Sequence, residues 1–417
     1  MTLKKSKKLF TLTKDVVDEK NIVDVMQQAI TLELATIPTY LSTYYSINRA
    51  QDQDELYAKI HAQLSKSGLL SASKIDSLAQ ELKLDVLVYA NKSAALIMSV
   101  VIEEMLHLAL ACNVKQAFCQ IPPDIMGIGK VLSFPAYLDG HKPEFEINTA
   151  KLSLEQLTTF LMIESPDPFT DPKAGKLLRA PLDYNTIGQL YEKIISYIKI
   201  STNPEPYKQR PQLLPPEKTG RPRPFYSQNS ANTVHYDRNH NPQFANTNDT
   251  AGLVGVYDKA TAIDALHLII EQGEGSTTTQ NEKPHHTLHW DDKGMAVPMD
   301  IIDSEDGGKT VKFLPGDYED DGEELAHFAK FLEAYSLGIH YQDKFKKIDG
   351  IEDFYSYFVY NQDASPAQVD YDASGNEALA LCSQLGNAVF AYILLMIEAC
   401  YHKDESTQYD LFMYGIH

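Results

Sequence analysis

The sequence predicts an all-α fold, a four-helix bundle extended by further helices and long loops, with one small β-hairpin. Three observations predict it. Several long segments repeat apolar residues at i, i+3, i+4 and i+7, the period of a helix with one buried face. The pattern Glu-x-x-His occurs on two of these segments. The stretches between them are rich in Pro and Gly rather than alternating as strands do. At 417 residues, 43% hydrophobic and 23% charged, the chain has enough apolar material for one large folded domain covering residues 1–417.

In chain order, the first helix is expected over about 21–47, where Met26, Ile30, Ile37 and Leu41 recur at helical intervals and Glu33 falls on the same stripe. Pro38 removes one backbone donor, so a kink is expected one turn beyond Glu33, opening space beside its carboxylate. A polar surface helix follows over about 52–69. A second long apolar helix is predicted over about 91–118, stopped by Pro122 and Pro123. The Pro- and Gly-rich run after it reads as a crossing loop, and shorter helices are expected at 153–164 and 184–198.

The segment of about 201–250 is proline-dense and irregular, and its Tyr, Phe and His content predicts an ordered lid. Bundle helices resume at 258–275 and 322–338. Between them VPMDIID and KTVKFL flank SEDGG as a hairpin. The last helix, about 375–402, is apolar on much of its circumference and is expected to be buried.

The chemistry lies in 101-VIEEMLHLAL-110. Residues three apart share a helix face, so Glu104 and His107 present a carboxylate and an imidazole to one point, and Glu324 and His327 repeat the arrangement. Each pair follows a helix with an inward carboxylate, Glu33 for the first and Glu274 for the second. One Glu from each of two helices and a Glu-x-x-His from each of two others is the set that holds two metal ions in a helical bundle. Carboxylate and imidazole donors suit iron or manganese, and two Fe ions are expected, with Mn as the alternative. Buried carboxylates also call for cations to neutralise them.

The register stays open at several positions: Glu103 competes with Glu104, Glu323 with Glu324, and Glu271 with Glu274. Glu271 shares a more polar face with His267 and Asp264, which suggests that it supports a ligand rather than being one. Tyr40, at helical spacing after Glu33, is a candidate to hydrogen-bond a metal-bound species. His285, His286 and His289, and also His235 and His240, are either solvated or cover the site.

The ordered motifs TLELATIPTYLSTYYSI, EEMLHLALACN, FLMIESPDP, TIGQLYEKI, IIEQGEG and AHFAKF resemble the ferritin-like domain of the imine-dimer synthases of violacein and rebeccamycin biosynthesis. The likeness spans roughly residues 20–340. It implies a ferritin-like bundle with metal positions at Glu33, Glu104, His107, Glu274, Glu324 and His327, and it marks Glu164, in IESPDP, as an alternative ligand. Those synthases are much larger multidomain proteins.

The functional expectation is a non-haem di-iron oxidoreductase using dioxygen or peroxide on a small, aromatic amino-acid-derived substrate. The alternatives are an imine-coupling enzyme served by an amino-acid oxidase partner, and a non-catalytic metal-binding scaffold; self-assembly into a homo-oligomer is compatible with each. A net charge of −20 argues against nucleic acid and anionic membranes as partners. With no secretory leader and no C-x-x-C spacing among Cys112, Cys119, Cys382 and Cys400, a cytoplasmic protein with reduced cysteines is expected.

Overall fold

The computed structural model describes residues 8–11, 17–49, 51–66, 71–139, 146–164, 186–202, 207, 210–214, 253–273, 289–290, 296–297, 300–303, 309–312, 326–360, 370–403 and 405–411. The helices are α1 (Ile22–Tyr45), α2 (Gln53–Lys66), α3 (Ala72–Val114), α4 (Ile125–Val131), α5 (Leu154–Glu164), α6 (Ile187–Ile200), α7 (Lys259–Gly273), α8 (His327–Lys346), α9 (Glu377–Cys400) and α10 (Glu405–Leu411). Among the described residues three small sheets accompany them. β1 (Lys8–Thr11) pairs in parallel with β2 (Ala136–Asp139), which pairs with β3 (Glu146–Ile147). β4 (His289–Trp290) pairs with β5 (Ala296–Val297), and β6 (Asp300–Asp303) with β7 (Lys309–Lys312). The last pair is the hairpin expected around SEDGG.

The bundle is α1, α3, α5 and α8. α1 lies along α3, α5 along α8, and α8 returns onto α3. The sequence reading put the helix of 258–275 in the third place. In the structure α7 pairs with α6 and leans on α3, while α5 supplies the third bundle helix. The strong periodicity of 258–275 reflects burial against α6 and α3, which a one-dimensional pattern cannot distinguish from burial inside the bundle.

α3 begins at Ala72, well before the expected start near residue 91. Its N-terminal half buries Ile75, Ala79, Leu82, Val86 and Tyr89, spaced by threes and fours, beside α2, which buries Leu56, Ile60 and Leu64. Its end widens into a π-helical turn, Lys115–Cys119, closed by Gln120 at φ 58° just before the two prolines. α6 starts with a reciprocal cap: Thr186 Oγ1 accepts from Gln189 N–H, and the Gln189 side chain accepts from Thr186 N–H.

α1 continues through Pro38. The open space lies on the face away from Glu33: Leu34, Ile37, Pro38 and Leu41 line an apolar cavity of about 350 Å³ with residues of α3 and α9. The expectation that Pro38 opens room beside the carboxylate is corrected, because Pro38 and Glu33 face different sides of the helix.

α9 corrects a second expectation. It is long and apolar enough to cross a membrane, yet only Leu394 and Cys400 are buried along it; Leu381, Leu385, Val389, Tyr392 and Leu395 are exposed. α3 passes the same length and composition test but is mostly buried in the bundle. Among the described residues no disulfide forms; Cys112 and Cys400 are buried and Cys382 is exposed.

Candidate metal centre

The site is assembled from the helices upward. On α1, Glu33, Thr36 and Tyr40 follow one another at i, i+3 and i+7 and so share a stripe facing the bundle interior. On α3, Glu104 and His107 are one turn apart and both buried. Glu164 is the last residue of α5 and His327 the first residue of α8, also buried. The N-terminus of α8, the positive end of its dipole, thus meets carboxylates from α3 and α5.

The two imidazoles are arranged alike. His107 Nδ1 lies 3.7 Å from Glu33 Oε2 and 4.0 Å from Glu104 Oε1. His327 Nδ1 lies 2.8 Å from Glu104 Oε1 and 3.5 Å from Glu164 Oε2. Glu104 is therefore shared, and each histidine has one further carboxylate of its own. The rings stack with centroids 5.0 Å apart. Each Nε2 faces outward, that of His107 at 3.0 Å from Gln272 Oε1 and that of His327 at 3.0 Å from Glu103 Oε2. Tyr191 donates to Glu33 Oε1 at 2.5 Å, Tyr40 to Glu164 Oε1, and Thr36 Oγ1 lies 2.6 Å from Glu104 Oε2.

Charge follows from this geometry. Burial, reinforced by Glu104, raises the Glu33 carboxyl well above its ordinary range, and burial with Glu104 also raises that of Glu164. Burial would raise Glu104 too, but His327, His107 and Thr36 together hold it below the usual value. Burial pushes the His107 imidazole down to about 4, so its nitrogens stay neutral and able to coordinate. Burial alone would lower His327 as well, but Glu103, Glu104 and Glu164 raise it well above the normal imidazole range. Burial thus favours the neutral forms of Glu33 and Glu164, while the surrounding carboxylates favour the cationic form of His327.

Both ring nitrogens of His327 are buried and close to carboxylate oxygens, yet neither is in line for a hydrogen bond. One donor atom from each of Glu104, His107 and His327 lies within 4.8 Å of the others, a spacing that a single cation can bridge. Buried oxygen and imidazole donors around such a point fit a first-row metal ion. A cavity of about 20 Å³, room for about one water-sized molecule, opens beside Glu33, Glu104, His107 and Glu164, walled by Ile187, Tyr191, Ile269 and Ile270.

Of the residues named from sequence, Glu33, Glu103, Glu104, His107, Glu164, His327 and Tyr40 are brought together. Glu271 is exposed on α7, because its neighbour Gln272 is the residue turned inward. Glu274, Glu323 and Glu324 lie outside the described residues, as do His235, His240, His285, His286 and most of 201–250. α8 begins at His327, with Ala326 extended at ψ 151°, rather than near residue 322. Sequence reasoning missed Tyr191, Thr36, Gln272 and Lys330. Only Lys330 left a signal, a lysine one turn from His327 on an apolar stripe.

A family model described as Ferritin-like matches residues 26–293, more than half of the chain, a span that includes Glu33, Glu103, Glu104, His107 and Glu164 but not His327. No curated protein matches. Among solved structures, a ferritin-like protein from Caulobacter vibrioides aligns over 96% of this chain and 93% of its own, at 16% identity and a TM-score of 0.43. With the family model matched over more than half of its length, the chain belongs to the ferritin-like family.

Proposed function

We propose that this protein is a dinuclear metal enzyme, most simply a di-iron oxidoreductase, with Glu33 and His107 serving one ion, Glu164 and His327 the other, and Glu104 reaching both. The observation that carries this reading is the shared Glu104 oxygen, 2.8 Å from one imidazole and 4.0 Å from the other, with a separate carboxylate behind each ring. It follows the Glu and Glu-x-x-His donor pattern of dinuclear bundles, with Glu164 taking the third-helix role.

When bound, the metal pair supplies activation of dioxygen or peroxide. The chain supplies the rest. Tyr191 and Tyr40 hold protons at Glu33 Oε1 and Glu164 Oε1, and the apolar wall keeps bulk water from the cavity. A space of about 20 Å³ suits a small oxidant rather than an organic substrate. An aromatic amino-acid-derived substrate, and coupling alongside an amino-acid oxidase, are favoured by the motif resemblance to the imine-dimer synthases.

The test is metal content of the chain purified without chelator, against a His107→Ala/His327→Ala variant whose fold is checked by circular dichroism. About two iron or manganese ions per parent chain and almost none in the variant are expected. A folded parent that takes up no iron would sink the enzyme reading and leave a buried polar network in a binding scaffold.

A further inference from the structure

Glu103 and Glu104 are neighbours in sequence, about 100° apart around α3. They straddle the first turn of α8 and approach opposite nitrogens of one ring, Glu104 at His327 Nδ1 and Glu103 at His327 Nε2. Lys330, one turn beyond His327, holds both Glu103 oxygens at 2.7 and 2.5 Å, with both side chains buried. The other imidazole has a different outer partner. His107 Nε2 meets the amide oxygen of Gln272 at 3.0 Å, also buried.

The two halves share a donor plan, although His107 lies within α3 and His327 opens α8. Each Nδ1 has its own glutamate and a share of Glu104, and each of those glutamates accepts a tyrosine hydroxyl. The outer partner is the difference in chemical kind between them, a carboxylate at one ring and an amide at the other. A small turn of the His327 ring brings its distal N–H into line with Glu103, 3.0 Å away, and an imidazole so partnered is a stronger metal donor, and more firmly oriented, than one facing a neutral amide.

We infer that the two metal positions are inequivalent: the position of His327 and Glu164 fills first and tightly, and that of His107 and Glu33 fills second and loosely. Glu103, Lys330 and Gln272 are the positioning residues that set this order. The inference rests on the dinuclear reading. It assigns a role to the first glutamate of EEMLHL, Glu103, and to the lysine of AHFAKF, Lys330, neither of which that reading uses.

The experiment is a titration of manganese(II) into chelator-stripped full-length protein, following free aqueous manganese by electron paramagnetic resonance, with a thermal melt of each variant as a check on folding. The parent is expected to bind in two steps separated by at least about tenfold. A charge-neutral Glu103→Gln/Lys330→Met variant, which leaves no uncompensated lysine, should weaken the first step by roughly 10–100-fold and leave the second unchanged. Gln272→Glu should tighten the second step alone, and it decides the matter if the double variant does not fold. Two equal steps in the parent, or a double variant that keeps its tight step, overturn the inference but not the dinuclear site. An unmoved second step in Gln272→Glu does the same. Fewer than one ion per parent chain overturns the dinuclear reading itself.

Discussion

Glu164 ends its helix on a buried carboxylate that accepts from Tyr40 and faces His327, and burial raises its pKa as it does that of Glu33. A cation at these oxygens, or at the raised His327 ring, therefore competes with protons. The direction is fixed: carboxyls with raised pKa hold their protons to higher pH, so lowering the pH opposes the metal and raising it favours uptake. Calorimetric titrations of metal in buffers of different ionisation enthalpy should report net proton release, with apparent affinity climbing from acid toward neutral pH. Affinity independent of pH would contradict this competition. At this scale Glu33, Glu104, His107 and His327 were legible because a charged residue on an apolar helical stripe is anomalous. Tyr191 was not, because a tyrosine on an amphipathic helix reads as packing, and its bond to Glu33 spans 158 residues of sequence.

Between elements, α3 and α8 are joined by two buried ion pairs, Lys330 with Glu103 at the metal end and Lys92 with Glu333 further along. The second pair touches no proposed ligand. Burial lowers the Lys92 pKa and raises that of Glu333, the signs of charges held out of water. Lys92→Met alone should cost about 3–5 kcal/mol in chemical denaturation, whereas Lys92→Met/Glu333→Leu should be neutral or stabilising by about 1–4 kcal/mol. A single variant as stable as the parent would mean that the pair is solvated. Element positions were mostly readable from periodicity, with α5, α6 and α7 found within a few residues of expectation. Which of them joins the bundle was not, because α5 and α7 both bury an apolar face and their sequences do not name the partner helix.

Across the whole molecule, the apolar face of α9 departs furthest from the expected buried helix. Leu381 and Leu385 are 58% and 65% exposed, and the helix carries no lysine or arginine. Charges there should therefore disturb little: Leu381→Glu/Leu385→Glu is expected to move stability by less than about 1 kcal/mol and to reduce self-association in light scattering. A drop of many degrees in melting temperature would show that this face is covered. The sequence by itself determined the helical class, most helix positions and four inward ligand candidates, because helical period and the anomaly of a charge on an apolar stripe are local properties. Only the tertiary structure decided that Glu164 faces His327, that Gln272 and not Glu271 turns inward, that Glu103 and Glu104 divide the two nitrogens of one ring, and that α9 stays exposed. Each of these depends on which surfaces meet across more than a hundred residues, and such meetings leave no periodic trace in either partner.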